Sequence, residues 1–208
     1  MDTYDTCHAL ILSCHKYLGD RATKQNKKNL PFNFHYFIGH SKNFTQSSID
    51  EKIVTVDCPD YYENLPDKVY KSIEWIYHNL KFEYILKTDD DIIFDKKNIT
   101  KLYAEIYKSG IDYAGNLIGV NSYRSTWHKN KCENDQINNI SINVPSTEYC
   151  SGGAYFLSKK SVEFILNNYS SLKPPDLIYE DVAMGYVLSH CNGIKKAKIN
   201  NLNKAFIW

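Results

Sequence analysis

LKTDDDIIFD, residues 86–95, decides how the rest of the chain reads. A strand-like run at 82–88 (FEYILKT) stops at Asp89, Asp90 and Asp91, so three carboxylates stand at the carboxyl end of a buried strand. Neighbouring like charges repel, and placing them there costs free energy unless a cation compensates. An oxygen-loving divalent ion such as Mn2+ or Mg2+ meets that need, taking one or two carboxylates and completing its shell with water and phosphate oxygens. A solvated turn in which one Asp caps the next helix is the plainer alternative for an acidic triplet. Both readings stand at this point.

Outward from the triplet, strand-like and helix-like patterns alternate. Residues 64–80 predict a helix with Val69, Ile73, Ile76 and Leu80 on one face, and 96–108 predict another with Ile99, Leu102, Tyr103 and Ile106 inward. Strands are predicted at 8–14, 32–39, 52–57, 112–120 and 153–157. Ser158 reads as the N-cap of a helix through Asn168, with Pro174-Pro175 as a stop. Residues 180–191 predict a further helix and 194–199 a last strand, whereas 121–144 lose periodicity and read as a long polar loop. The alternation predicts an α/β sandwich with a mostly parallel central sheet, in one domain spanning 1–208. Ligands in such sheets sit beyond the carboxyl ends of the strands, where Asp57, Asp89–Asp91 and Gly119 fall.

Composition removes several function classes. With 25 Lys and Arg against 24 Asp and Glu, no global field favours nucleic acid. No apolar run is long enough to cross a bilayer, and the opening MDTYDTC is too acidic and polar for a signal peptide. Arginine occurs only at Arg21 and Arg124, so planar bidentate recognition of an anion has two candidates. The six cysteines form no CxxC pair, which argues against zinc and leaves disulfides and thiols both open.

Three further segments carry chemistry-bearing residues. In EYCSGGAYFLS (148–158), Gly152 and Gly153 either let a ligand approach the backbone or form a tight turn or bulge before a strand. In YEDVAMGYVL (179–188), Glu180 and Asp181 open a helix, where capping and the helix dipole are the default explanation for carboxylates. In YYENLPDK (61–68), Lys68 lies in the first turns of the helix leading to the triplet, and a solvated lysine is the ordinary reading.

Taken in order, DxYxNLxxK (60–68), LKTDDDIIF (86–94), YCSGGAYFLS (149–158) and EDVAMG (180–185) resemble the inverting β-1,3-galactosyltransferase-like glycosyltransferases of family 31. That family includes the β-1,3-N-acetylglucosaminyltransferases and the Fringe proteins, and the similarity spans about residues 21–194. The resemblance implies a GT-A fold, a Rossmann-like nucleotide-binding sandwich, with a UDP-sugar donor, a glycan or glycoprotein acceptor, and Mn2+ (or Mg2+) as cofactor. It makes Asp91 the metal ligand, puts Asp89 and Asp90 at the ribose or in support of the metal shell, and makes Asp181 the catalytic base. It sets Lys68 and Arg21 near the diphosphate and Gly152 and Gly153 along the donor sugar. The chemistry is coherent: an acceptor hydroxyl attacking with inversion must lose a proton, and one placed carboxylate is worth about 10²–10⁴-fold.

Two departures stand out. The family's arginine-rich RxxxRxTW-like segment is reduced to RATKQNKK (21–28), and no histidine follows Asp181 except His190, which the helical pattern sets too early for a metal ligand. Asn203 or water could complete the shell; weak metal binding and lost activity are the other outcomes, the last leaving a nucleotide-sugar- or glycan-binding module on the same fold. Residues 121–144 are where acceptor recognition is expected, with Tyr123 and Trp127 as sugar-stacking platforms, although Trp127 reads equally as a half-buried aromatic. With Met1 close to the first strand and no anchor before it, the expectation is a soluble cytoplasmic enzyme, in a host cytoplasm if the source is a large DNA virus. A trimmed Golgi-lumen domain is the alternative.

Overall fold

The computed structural model describes residues 6–19, 30–40 and 52–199, together with the backbone of 206–207. Its strands are β1 (Cys7–Leu12), β2 (Asn33–His40), β3 (Ile53–Pro59), β4 (Tyr84–Asp89), β5 (Ile93–Phe94), β6 (Tyr113–Val120), β7 (Tyr123–Ser125), β8 (Ile142–Val144), β9 (Thr147–Ser158), β10 (Lys196–Lys198) and β11 (Phe206–Ile207). Its helices are α1 (His15–Tyr17), α2 (Leu65–Asn79), α3 (Lys96–Ser109), α4 (Asp135–Asn139), α5 (Lys159–Leu172) and α6 (Glu180–Ser189), with a 3-10 turn at Tyr62–Asn64 leading into α2.

β10-β6-β9-β4-β1-β2-β3 form one seven-stranded sheet. All pairings are parallel except those of β9, which runs antiparallel to both β4 and β6. The expected mostly parallel α/β sandwich is therefore present, consistent with a GT-A type fold. Successive β4 side chains alternate between faces. Ile85 joins Val69, Ile73 and Ile76 of α2 and Val187 and Leu188 of α6, while Leu86 joins Ile99, Tyr103 and Ile106 of α3. Both faces are thus covered, and the apolar stripes read from α2 and α3 are the stripes they bury.

Local chemistry sets the element ends. Asp95 caps α3 by accepting from the Asn98 amide at 2.8 Å, and Gly110, at φ 58°, closes it in the left-handed conformation. Ser158 caps α5 by accepting from the Ser161 amide at 3.3 Å. α5 continues past Asn168 to Leu172, just before Pro174.

Two regions differ from the sequence reading. β9 begins at Thr147 and runs through Gly152 and Gly153, which lie inside a strand rather than before one: β4 pairs with Ala154–Ser158, and the pairing with β6 slips register between Cys150 and Tyr155, so the glycines fall at a bulge. Residues 121–144 are not a bare loop. β7 and β8 pair antiparallel, α4 is capped by Asn134, and Ile142 and Val144 pack on Leu177, Tyr179 and Val182. Buried His128 fastens this insert, its ring nitrogens lying 2.7 Å from Tyr179 Oη and 2.9 Å from the Ile137 carbonyl. Elements of three to five residues contain too few apolar positions to display a period. Among the described residues no helix is long and apolar enough to cross a membrane.

Candidate active site at the carboxyl end of the central strand

Lys87 is the centre of the site, and the sequence reading passed over it. It sits on the α2/α6 face of β4 and is wholly buried. Its Nζ donates to Asp89 Oδ1 at 2.8 Å, Glu180 Oε1 at 2.6 Å and the Gly152 carbonyl at 2.5 Å. Tyr155 Oη donates to the other Glu180 oxygen at 3.0 Å. Burial works against the ammonium, but Asp89 and Glu180 together outweigh it and hold the charged form well above the ordinary lysine range. The available signal was a lysine inside an otherwise apolar strand, which requires a buried carboxylate elsewhere in the chain.

The three aspartates sit in three different surroundings. Asp89 is half-buried on Lys87; loss of hydration pushes its carboxyl up to about 6, with Lys87 opposing. Asp90 is buried and accepts from Ser13 Oγ at 2.6 Å, which ties the triplet to the end of β1. Asp91 is exposed on the turn between β4 and β5. Compensation for the run of negative charge thus comes first from the protein's own Lys87 and Ser13. Asp95, not a member of the triplet, is the helix cap.

The two acids opening α6 also separate. Glu180 is buried and locked by Lys87 and Tyr155, whereas Asp181 is partly exposed. Asp181 Oδ2 accepts from the Gly152 amide at 3.0 Å and Oδ1 from the Val182 amide at 2.8 Å. Burial raises its carboxyl above the usual range, while those two amides and Lys87 pull the other way. Neither acid caps the helix from the N-cap position, which Tyr179 occupies. Gly152 is required by proximity: a Cβ there would stand 2.8 Å from Glu180 Oε1. Gly185 lets α6 lie directly on β9, since a Cβ would collide with Tyr149.

Residues 22–199 match the family model described as galactosyltransferase. The chain belongs to the galactosyltransferase family. It is 30% identical over 143 residues to human UDP-GalNAc:beta-1,3-N-acetylgalactosaminyltransferase 2, covering 67% of this chain and 26% of that protein. To the mouse protein of the same name it is 29% identical over 143 residues, again 67% of this chain and 26% of the relative. To mouse UDP-GalNAc:beta-1,3-N-acetylgalactosaminyltransferase 1 it is 31% identical over 141 residues, 66% of this chain and 40% of that protein. The aligned part thus spans between about a quarter and two fifths of the length of these relatives.

In this galactosyltransferase-family chain Lys68 is not solvated. Its Nζ donates to Asp60 Oδ1 at 2.7 Å and to the Ser13 carbonyl at 2.9 Å, and the side chain is 1% exposed. Asp60 in turn accepts from the amides of His15 at 2.7 Å and Gly39 at 2.8 Å, so Lys68 holds together the segments that follow β1 and β3 and the end of β2. Gly153 carries the carbonyl that accepts from Thr88 Oγ1 at 3.2 Å. Arg21 and Asn203 lie outside the described residues. His190 is the C-cap of α6, at the far end from Asp181, because the helix ends at Ser189 rather than running on to Cys191. Among the described residues no three His, Cys, Asp or Glu side chains gather around one point suited to a metal ion. All six cysteines are free thiols.

The insert leans on the start of α2, where Glu63 accepts from the amides of Glu133 and Asn134 at 3.2 and 3.0 Å. Trp127 is 73% exposed rather than half-buried, and Tyr123 is exposed as well. Lys131 Nζ lies 4.0 Å from the centre of the Trp127 ring and 5.5 Å from that of Tyr62. Tyr62 reaches the electrostatic neighbourhood of Asp181, and burial first, then Tyr179 and Asp181, raises its hydroxyl well above the usual range.

Proposed function

We propose that the chain carries the catalytic core of an inverting glycosyltransferase that moves a galactose- or N-acetylhexosamine-type sugar from a UDP-sugar to a glycan hydroxyl, forming a β-1,3 linkage. One observation carries the reading. Of the two acids at the start of α6, Glu180 has both oxygens engaged by Lys87 and Tyr155, while Asp181 is solvent-accessible beside the end of β4. A general base needs reach to the acceptor proton and a carboxyl less acidic than usual, and the partial exposure of Asp181 and its raised carboxyl support that role. The names of the relatives favour UDP-GalNAc among the donors.

Asp181 would take the acceptor proton as the hydroxyl attacks the anomeric carbon from the face opposite the leaving UDP. Its negative charge also favours a transition state with oxocarbenium character. Asp90, fixed by Ser13, and Asp89, fixed by Lys87, would face the nucleotide. Gly152 and Gly153 expose backbone where the donor sugar would lie. Trp127 and Tyr123 supply exposed rings against which an acceptor sugar could stack. The exposed oxygens of Asp91 suit a hard divalent ion such as Mn2+ or Mg2+ that takes its remaining ligands from water and phosphate. When bound, such an ion would stabilise the charge that develops on the departing diphosphate.

Purified protein is expected to release UDP from UDP-GalNAc, UDP-galactose or UDP-GlcNAc in the presence of Mn2+ and a glycan acceptor panel. Asp181→Asn should lower turnover by about 10²–10⁴-fold while leaving donor affinity by calorimetry within about twofold. Turnover of this variant at the wild-type rate would remove Asp181 as the base.

A further inference from the structure

A wholly buried ammonium in the middle of a sheet is not explained by stability. Replacing a buried ion pair with apolar groups of similar volume is often neutral or stabilising, so a leucine or methionine at position 87 would fill the space with less desolvation. What an apolar residue could not do is donate three ways from one atom. Lys87 Nζ bonds the Gly152 carbonyl, and the amide of the same Gly152 holds Asp181 Oδ2. Nζ also bonds Glu180, the residue immediately before Asp181. The Gly152 backbone that donates to the Asp181 carboxylate and the side chain of the residue just before Asp181 are therefore anchored to a single nitrogen. A third bond from that nitrogen reaches Asp89, at the start of the acidic triplet.

We propose that Lys87 is a positioning residue: through Gly152 and Glu180 it fixes the orientation of Asp181, and through Asp89 it keeps that carboxylate in register with the nucleotide end of the cleft. The inference rests on Asp181 being the base. Lys87 has no open path to the acceptor and takes no proton in the reaction. Its contribution is geometric, and a misplacement of the order of 1 Å can cost about 10²-fold in rate.

Lys87→Arg tests this while preserving charge. A guanidinium keeps Asp89 and Glu180 compensated, but its planar fork cannot set one nitrogen on three oxygens. The companion variant Lys87→Met/Glu180→Gln removes both buried charges at nearly constant volume, so at least one of the two should fold. Each folded variant is expected to show kcat for UDP release from UDP-GalNAc, with Mn2+ and water as acceptor, at least tenfold below wild type. The donor KM should stay within twofold, and amide exchange at Gly152 and Val182 should be faster. A purely structural lysine predicts wild-type kcat per folded molecule and unchanged exchange at those two amides, and that result would overturn the proposal. If the wild-type protein releases no UDP from UDP-GalNAc, UDP-galactose or UDP-GlcNAc with Mn2+ and the glycan acceptor panel, the glycosyltransferase reading falls. Exchange at Gly152 and Val182 then decides Lys87 alone: faster exchange retains its positioning of Asp181, and unchanged exchange rejects it.

Discussion

Lys68 and Lys87 invite comparison because they solve the same problem differently. Both are buried, at 1% and 0% exposure, and each donates to a carboxylate and to a backbone carbonyl. Lys68 spends its charge on Asp60, whose other contacts are the amides of His15 and Gly39, and it touches the acidic triplet only indirectly, through Ser13, whose carbonyl accepts from Lys68 and whose hydroxyl holds Asp90. Lys87 spends its charge on Asp89, the first carboxylate of the triplet, and on Glu180, the residue immediately before the one proposed as the base. Burial of a charge does not by itself mark a functional group. The identity of its partners does.

The largest effect that sharpens this contrast is expected at Lys68. Lys68→Met leaves Asp60 without its cation in a site only 6% exposed, and should lower stability by about 3–5 kcal/mol in urea unfolding. A loss below about 1 kcal/mol would show that the two amides suffice for Asp60, and the division between frame and cleft would then have to be redrawn. A smaller effect comes from the frame's other buried titratable pair. His8 Nε2 lies 2.9 Å from His35 Nδ1, and burial, then His35, pushes His8 down to about 4. The unfolded chain therefore binds more protons than the folded one between the ordinary histidine range and about pH 4, so stability falls as pH drops through that window. The loss should be about 2–3 kcal/mol by denaturant midpoints. His8→Gln should flatten that acid limb; an unchanged limb would assign it to carboxylates instead. The smallest stability effect is expected at the cleft's rim. Trp127→Ala should change stability by less than about 0.5 kcal/mol while raising the KM for a glycan acceptor. An unchanged acceptor KM would remove Trp127 from the acceptor side.

Much of the frame was legible because regular elements announce themselves by period. The stripe Val69, Ile73, Ile76 and the run 82–88 located α2 and β4 within a residue or two. The insert was not legible. β7, α4 and β8 are too short to repeat, and their stability comes from distant groups such as Tyr179 and Leu177. The glycines of β9 were legible in part: a Gly-Gly pair reads locally as a turn or a bulge, and they fall where the pairing with β6 slips register, but inside a strand that begins at Thr147 rather than ahead of one. Within the candidate site, Asp181 and the triplet were visible as motif letters whose roles the resemblance implied, while the groups that hold each carboxylate were not.

By itself the sequence determined the layered α/β class, the order of most elements and the few carboxylates near which chemistry would gather, because apolar period and local charge are properties of adjacent residues. Only the tertiary structure decided that Glu180 is locked and Asp181 partly exposed, that Lys68 is buried on Asp60, and that Lys87 links Asp89, Gly152 and Glu180. Those assignments depend on pairs separated by 93 residues for Lys87 and Glu180, and by 55 for Lys68 and Ser13. Which oxygen receives a buried proton donor is settled by packing between elements, and no local pattern records it.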